Sequence, residues 1–170
     1  MKAMVFKGCD QPLQLEELAI PEPAGNEVSI RIKACGVCRT DLHIMQGDLI
    51  EPKPALVPGH EIVGIVDKIG LNVTLVKKGD RVGVPWLGKT CGRCEFCVRG
   101  QENLCDGALF TGYHLNGGFA EYCIAHELAC YLLPQNYSDT EIAPLMCAGL
   151  IGYRSFQMAG DCHTIGFYGF

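Results

Sequence analysis

Pro58-Gly59-His60-Glu61-Ile62-Val63-Gly64-Ile65-Val66-Asp67-Lys68-Ile69-Gly70 is the stretch on which the fold turns. Its β-branched run over residues 61–69 predicts a buried strand, and Gly64 inside it predicts a bend or bulge. Residues 28–34 alternate apolar with charged or polar side chains, as a half-buried strand does. Residues 81–84 and 119–124 read as further short strands, and the N-terminal residues 1–7 enter another alternating pattern. Turn signals separate them: Pro-Gly at 58–59, Gly-Asp at 79–80 and Asn-Gly-Gly at 116–118. Together they predict a mainly β, rolled antiparallel sheet rather than alternating βαβ units.

Near Ser138 the character changes. Ser138 and Glu141 form a capping-box pattern, and the Leu, Met and Ala content of residues 143–159 predicts a helix ending near Gly160. Residues 164–170 read as a buried strand running into a glycine turn, as at the start of a dinucleotide-binding fold.

Cys91, Cys94, Cys97 and Cys105 follow the spacing Cys-x2-Cys-x2-Cys-x7-Cys within a polar loop. Four thiolates suit a closed structural zinc site. A ferredoxin-type cluster would place the fourth cysteine three residues on, followed by proline; here the gap is longer and Asp106 follows. Lys89, Arg93 and Arg99 are positioned to offset the negative charge of such a site. Cys38, His60 and Cys147 form a second, open set of potential ligands, with one metal position left over for catalysis.

The chain has 170 residues, 48% of them hydrophobic, enough for one well-cored domain. A formal charge of −5 argues against nucleic-acid or anionic-membrane partners. The cysteine count, eleven, is odd, and no apolar leader opens the chain. These features predict a soluble, cytoplasmic protein with thiols free or metal-bound, in which Cys9, Cys35, Cys123, Cys130 and Cys162 are buried. His114, His126 and His163 receive no role.

Gly59, His60, Glu61, Gly64, Gly70 and Val73 meet the pattern Gly-His-Glu-x2-Gly-x5-Gly-x2-Val. The turn at 79–82, the four-cysteine loop and Met146-Cys147-Ala148-Gly149 follow in order. Over essentially its whole length the chain resembles the zinc-dependent alcohol dehydrogenases of the medium-chain dehydrogenase/reductase superfamily. The resemblance implies a GroES-like catalytic domain over residues 1–137, with a structural zinc lobe at about 88–110. Residues 138–170 would then be a helical connector and the first strand of an incomplete NAD(P)-binding Rossmann domain. It implies two zinc ions per chain and NAD(P) as cofactor. Cys38, His60 and Cys147 become ligands of the catalytic zinc, with Glu61 close behind the metal and Asp41 receiving the ring N–H of His60. Ordinary surface acids are the alternative for both carboxylates. Thr40 and His43 become the proton relay, and Arg39 the holder of the cofactor pyrophosphate. Gly166 and Gly169 become part of the glycine fingerprint. Trp86 becomes a pocket wall favouring small alcohols, or a plain core tryptophan.

The activity implied is oxidation of a small alcohol, or reduction of the aldehyde, in a possible homo-oligomer. Ile151 departs from the threonine found in many relatives four residues beyond the third ligand. The chain ends inside the glycine fingerprint, so this polypeptide alone is expected not to turn over. Exposed apolar surface along residues 143–159 is expected to encourage self-association. Two competing readings are a non-catalytic GroES-like zinc module and a polyol dehydrogenase. The latter often has glutamate where this chain has Cys147, and glycine-serine where it has Arg39-Thr40.

Overall fold

The structure, a computed structural model, describes residues 1–49 and 53–168. Its centre is a five-stranded antiparallel sheet in the order β8-β3-β4-β5-β9, formed by Tyr122–His126, Glu27–Gly36, Glu61–Ile69, Arg81–Val84 and Tyr131–Leu132 respectively. An N-terminal hairpin pairs β1 (Lys2–Val5) with β2 (Gln14–Glu17), and β6 (Leu87–Lys89) pairs with β7 (Leu109–Phe110). The expectation of a mainly β, antiparallel architecture therefore holds.

β4 is buried on both faces as far as Val66, which is why residues 62–66 are a continuous apolar run instead of an alternation. Ile62 and Val66 pack with Val28, Ile30, Val82 and Val84 in the main core. Val63 points the other way and meets Ile142 and Ala143. Each such fully buried aliphatic side chain contributes about 1.5–3 kcal/mol. The bulge expected at Gly64 lies on the neighbouring strand: β3 carries one extra residue, Lys33, between the pairs Ile32↔Gly64 and Ala34↔Val63. Gly64 is required for another reason. A Cβ there would stand 2.6 Å from the Arg31 carbonyl oxygen.

Two expected elements differ. The strand foreseen over 119–124 begins at Tyr122, because pairing with β3 sets its register from Arg31↔Tyr122 to Glu27↔His126. Phe119 instead accepts from the Met4 N–H at 2.7 Å, and Ala120 bridges to Ala3. Residues 164–168 form no strand and are exposed. β-structure exists only by pairing, and no described strand lies alongside them.

The helix foreseen after Ser138 forms, but in pieces. α1 (Arg39–Gln46) and α2 (Glu95–Val98) precede it; α3 (Asp139–Ile142) opens on the expected capping box, with Ser138 Oγ accepting from the Glu141 N–H at 3.3 Å. Pro144 lacks the N–H an α-helix needs, and a 3-10 turn over Ala143–Met146 follows. Cys147 leaves helical geometry (φ −134, ψ −76), and α4 (Ala148–Ala159) starts afresh. Leu150, Ile151, Tyr153, Phe156 and Met158 on α4 are exposed, as anticipated for this stretch. No helix among the described residues is long and apolar enough to cross a membrane.

A candidate metal centre and its cleft

Cys38 stands where β3 has ended and α1 begins, in an extended conformation that turns its side chain inward. Asp41, three residues on and almost fully buried, accepts the Cys38 N–H at 2.8 Å through Oδ2 and the Gly59 N–H at 3.1 Å through Oδ1. One carboxylate therefore laces the Cys38 turn to the segment that carries His60. The ring of His60 is wholly buried, with Nδ1 3.4 Å from Asp41 Oδ1. That approach is not aligned for a hydrogen bond, and neither ring nitrogen has a hydrogen-bond partner among the described residues. Glu61, also buried, opens β4 and packs against Gly36, where a Cβ would collide with its carboxyl group.

Cys147 completes the group from a distant part of the chain. The 3-10 turn before it packs on β4 and β5, and Met146 fills the space that a side chain at Gly83 would occupy. Cys38 Sγ and Cys147 Sγ end 3.8 Å apart. Donor atoms of Cys38, His60, Glu61 and Cys147 all lie within 4.8 Å of one another.

A tetrahedral zinc with bonds of about 2.3 Å to sulfur sets its thiolates about 3.8 Å apart. The donor set thus fits zinc, and an orphaned buried imidazole is the kind of polar group that a metal satisfies. With Nδ1 facing Asp41, Nε2 is the nitrogen left for the metal. Electrostatics agree. Burial alone would lower the pKa of His60, but the Asp41 carboxylate and Cys147 overcome it and raise the value to about 10. Burial pushes the Cys38 thiol up; the Thr40 N–H and hydroxyl and the His60 ring outweigh this and hold it below its usual value. Glu61 is pushed up, first by burial and then by Asp41. The pocket thus favours a cationic ring and eases loss of the Cys38 proton, a charge distribution that a divalent cation can replace.

The four loop cysteines also converge, their sulfurs within 4.8 Å of one another. Cys91 Sγ lies 3.9 Å from Cys97 Sγ, and Cys94 Sγ lies 3.5 Å from it. The backbone N–H groups of Arg93 and Cys94 lower the Cys91 pKa to about 6, whereas burial pushes Cys97 up to about 12. Arg99, expected to offset the sulfur charge, instead meets Glu95 at 3.5 Å. All eleven cysteines are free thiols. Of those expected to be buried, Cys123 is; Cys35 and Cys130 are half-buried, and Cys9 and Cys162 are exposed because they sit in surface turns.

Beside the open set runs a cleft of about 600 Å³, floored by Thr40, His60 and Cys147. Trp86 forms one wall, its ring edge-on to His60 at 5.0 Å and stacked on Phe110 at 4.9 Å. Phe110 and Asn103 line the same cleft and were not anticipated. Only their position beside Cys105 hinted at it, since the cysteine loop must fold back for its sulfurs to meet. Ile151 lines it as well. The Thr40 hydroxyl is 3.8 Å from Cys38 Sγ. His43, one turn further along α1, is half-exposed, with Nδ1 2.7 Å from Asp48 Oδ2. Arg39 is exposed at the start of α1. Gly166 lies in the exposed stretch 164–168 and joins neither sulfur cluster; Gly169 lies outside the described residues.

The family described as alcohol dehydrogenase GroES-like domain matches residues 24–135. An alcohol dehydrogenase of Geobacillus stearothermophilus is 47% identical over 161 residues, covering 94% of this chain and 48% of the relative. The chain thus spans about half the length of the curated relatives it matches. Among solved structures, the alcohol dehydrogenase of the hyperthermophilic archaeon Aeropyrum pernix superposes with a TM-score of 0.84 at 34% identity, over 94% of this chain and 48% of that one. A CAD from Helicobacter pylori complexed with NADP(H) gives 0.83 at 26% identity, over 93% and 48%.

Proposed function

The chain belongs to the zinc-dependent alcohol dehydrogenases of the medium-chain dehydrogenase/reductase superfamily, and we propose that it supplies the metal-binding half of NAD(P)-linked alcohol oxidation and aldehyde reduction. The observation that carries this reading is the meeting of Cys38, His60 and Cys147, with Glu61 behind them, at the floor of a cleft. Two thiolates and an imidazole would hold zinc with a position to spare, and Cys91, Cys94, Cys97 and Cys105 would hold a second, structural zinc. Zinc bound at the open set supplies Lewis acidity, lowering the pKa of an alcohol hydroxyl toward neutrality.

The remaining work falls to side chains. The apolar wall of Trp86, Phe110, Leu150 and Ile151 excludes water and holds the carbon skeleton of a small alcohol or aldehyde. Thr40, at the cleft floor, takes the proton lost by the substrate hydroxyl and passes its own outward. His43 lies three residues along the same helix, so both sit on one face. Asp48 orients its ring, and its partial exposure lets it deliver the proton to solvent. NAD(P), which the Helicobacter pylori relative binds as NADP(H), would when bound supply the hydride acceptor for the alcohol carbon. Arg39, exposed beside the metal set, would grip the cofactor pyrophosphate, and residues 138–170 would lead toward the cofactor domain.

Metal analysis tests the reading. The purified chain is expected to hold two zinc ions, falling to one on Cys38→Ser and, separately, to one on Cys94→Ser. Two ions retained by a folded Cys38→Ser protein would overturn the assignment of the open site.

A further inference from the structure

We propose that a second cleft, sharing no lining residue with the first, binds a small organic anion: an apolar body bearing a carboxylate or phosphate head. The cleft has a volume of about 340 Å³, in the size range of small-ligand sites. It opens between the ends of the β1–β2 hairpin, the outer strand β8 and the β6–β7 pair.

Its charge runs against that of the molecule. The chain carries −5 overall, yet this cleft is lined by Lys53, Lys89, His114 and His126, with Glu27 the one carboxylate among its described lining residues. Glu27 is turned to its own loop, where Oε2 accepts the Ala24 N–H at 3.2 Å. The Met1 ammonium, also at the cleft, is engaged by the Leu18 carbonyl at 2.6 Å. Among the described residues Lys53 and Lys89 meet no carboxylate, as is also true of Lys2, Lys33 and Lys77 away from the cleft. Lys53 is half-buried, and desolvation without a partner lowers its pKa, a penalty that an anion would remove.

Both imidazoles are set up as donors. Nδ1 of His114 accepts the Phe110 N–H and Nδ1 of His126 accepts the Leu128 N–H, each at 3.2 Å. In either neutral ring the proton therefore sits on Nε2, leaving a donor for a ligand. Leu18, Val57 and Ile124 supply the apolar surface that an inorganic ion would leave unused. Cationic and N–H donors above an aliphatic wall match an amphipathic anion.

The test uses the zinc-loaded chain and three probes: phenyl phosphate, benzoate and inorganic phosphate. Ring-proton NMR signals of His114 and His126 are expected to shift saturably with one of the two aromatic anions, more weakly with inorganic phosphate. A preference for phenyl phosphate assigns a phosphate head, and the reverse a carboxylate head. Combined Lys53→Ala and Lys89→Ala substitution is expected to weaken binding at least about tenfold, and Lys89→Gln alone by several-fold, with melting temperature unchanged. Absence of a saturable shift at either histidine up to about 10 mM probe, which is weaker than any specific site of this class, overturns the proposal. So does binding that the Lys89→Gln protein retains in full.

Discussion

Asp41→Asn isolates the contribution of one buried carboxylate. Asp41 accepts two backbone N–H groups, from Cys38 at 2.8 Å and Gly59 at 3.1 Å, and faces the His60 ring at 3.4 Å. Hydrogen bonds to a charged acceptor contribute roughly 1.5–3 kcal/mol each, so Asp41→Ala would remove about 3–6 kcal/mol. That rivals the whole stability of an ordinary domain, and the alanine variant is a poor probe. Asparagine keeps the volume and one acceptor oxygen but turns an NH₂ toward the second N–H. The expected loss is about 2–3 kcal/mol, read as a lower midpoint in urea unfolding at neutral pH. Asparagine also removes the negative charge that faces the His60 ring at 3.4 Å, so zinc affinity at the open site should fall about 10–100-fold. Competition against a chromophoric chelator measures that affinity, with the four-cysteine loop as an internal reference. A folded Asp41→Asn protein that holds its open-site zinc as tightly as the parent would refute the reasoning.

Two further outcomes follow from single residues. Glu127 is buried, and its carboxylate accepts from Asn26 Nδ2 (2.7 Å) and from the N–H groups of Thr74 (2.7 Å) and Leu75 (2.9 Å), which hold its pKa near 2. Because the folded value lies below the ordinary one of 4.5, its stabilisation is present above about pH 4.5 and is lost as pH falls toward 2. Glu127→Gln should therefore destabilise the fold by about 2 kcal/mol at pH 7, with the gap to the parent closing in acid-unfolding curves below pH 4. A gap that stays constant from pH 7 to pH 3 would contradict this. Gly112 has φ +72, and a Cβ there would stand 2.8 Å from the backbone N and O of Gly59, next to His60. Gly112→Ala should destabilise by about 2–3 kcal/mol and disturb the open metal set, whereas Gly79→Ala, at φ +93 but in open space, should cost about 1 kcal/mol and leave zinc binding intact. Equal melting temperatures for the two variants would contradict the close-approach argument.

What was readable in the chain depended on whether the cause was local. β4 and β5 were read with correct bounds because β-branched runs and glycine turns are local signals. β8 was misplaced by three residues because its start is set by pairing with β3, which no window around residue 120 contains. The expected strand at 164–170 failed for the same reason: an apolar run becomes a strand only beside another strand. The composition of residues 143–159 predicts one helix; the break at Pro144, and Cys147 at the head of α4, come from how the segment packs on the sheet. Spacing alone exposed the four-cysteine loop. Residue type suggests Cys38, His60 and Cys147 as an open set and the resemblance gives them their role, whereas the double grip of Asp41 on Cys38 and Gly59 belongs to tertiary contact alone. Phe110 and Asn103 entered the cleft unannounced because the loop that carries them folds back on itself.

The two sulfur clusters differ in how much chain they enclose. Cys91 and Cys105, whose backbone and sulfur meet at 3.3 Å, are 14 positions apart; Cys38 and Cys147 are 109 apart. On a ribosome, which releases the chain from its N-terminus, the compact set can close once its own loop has emerged. The wide set must wait for Cys147, and for Arg81 of β5 to seize Asp139 and the carbonyls of Pro134 and Tyr137 so that the connector lies against the sheet. Metal loading of the two positions would thereby be ordered in time, and only the later one would certify that strands, connector and helix have all reached their places.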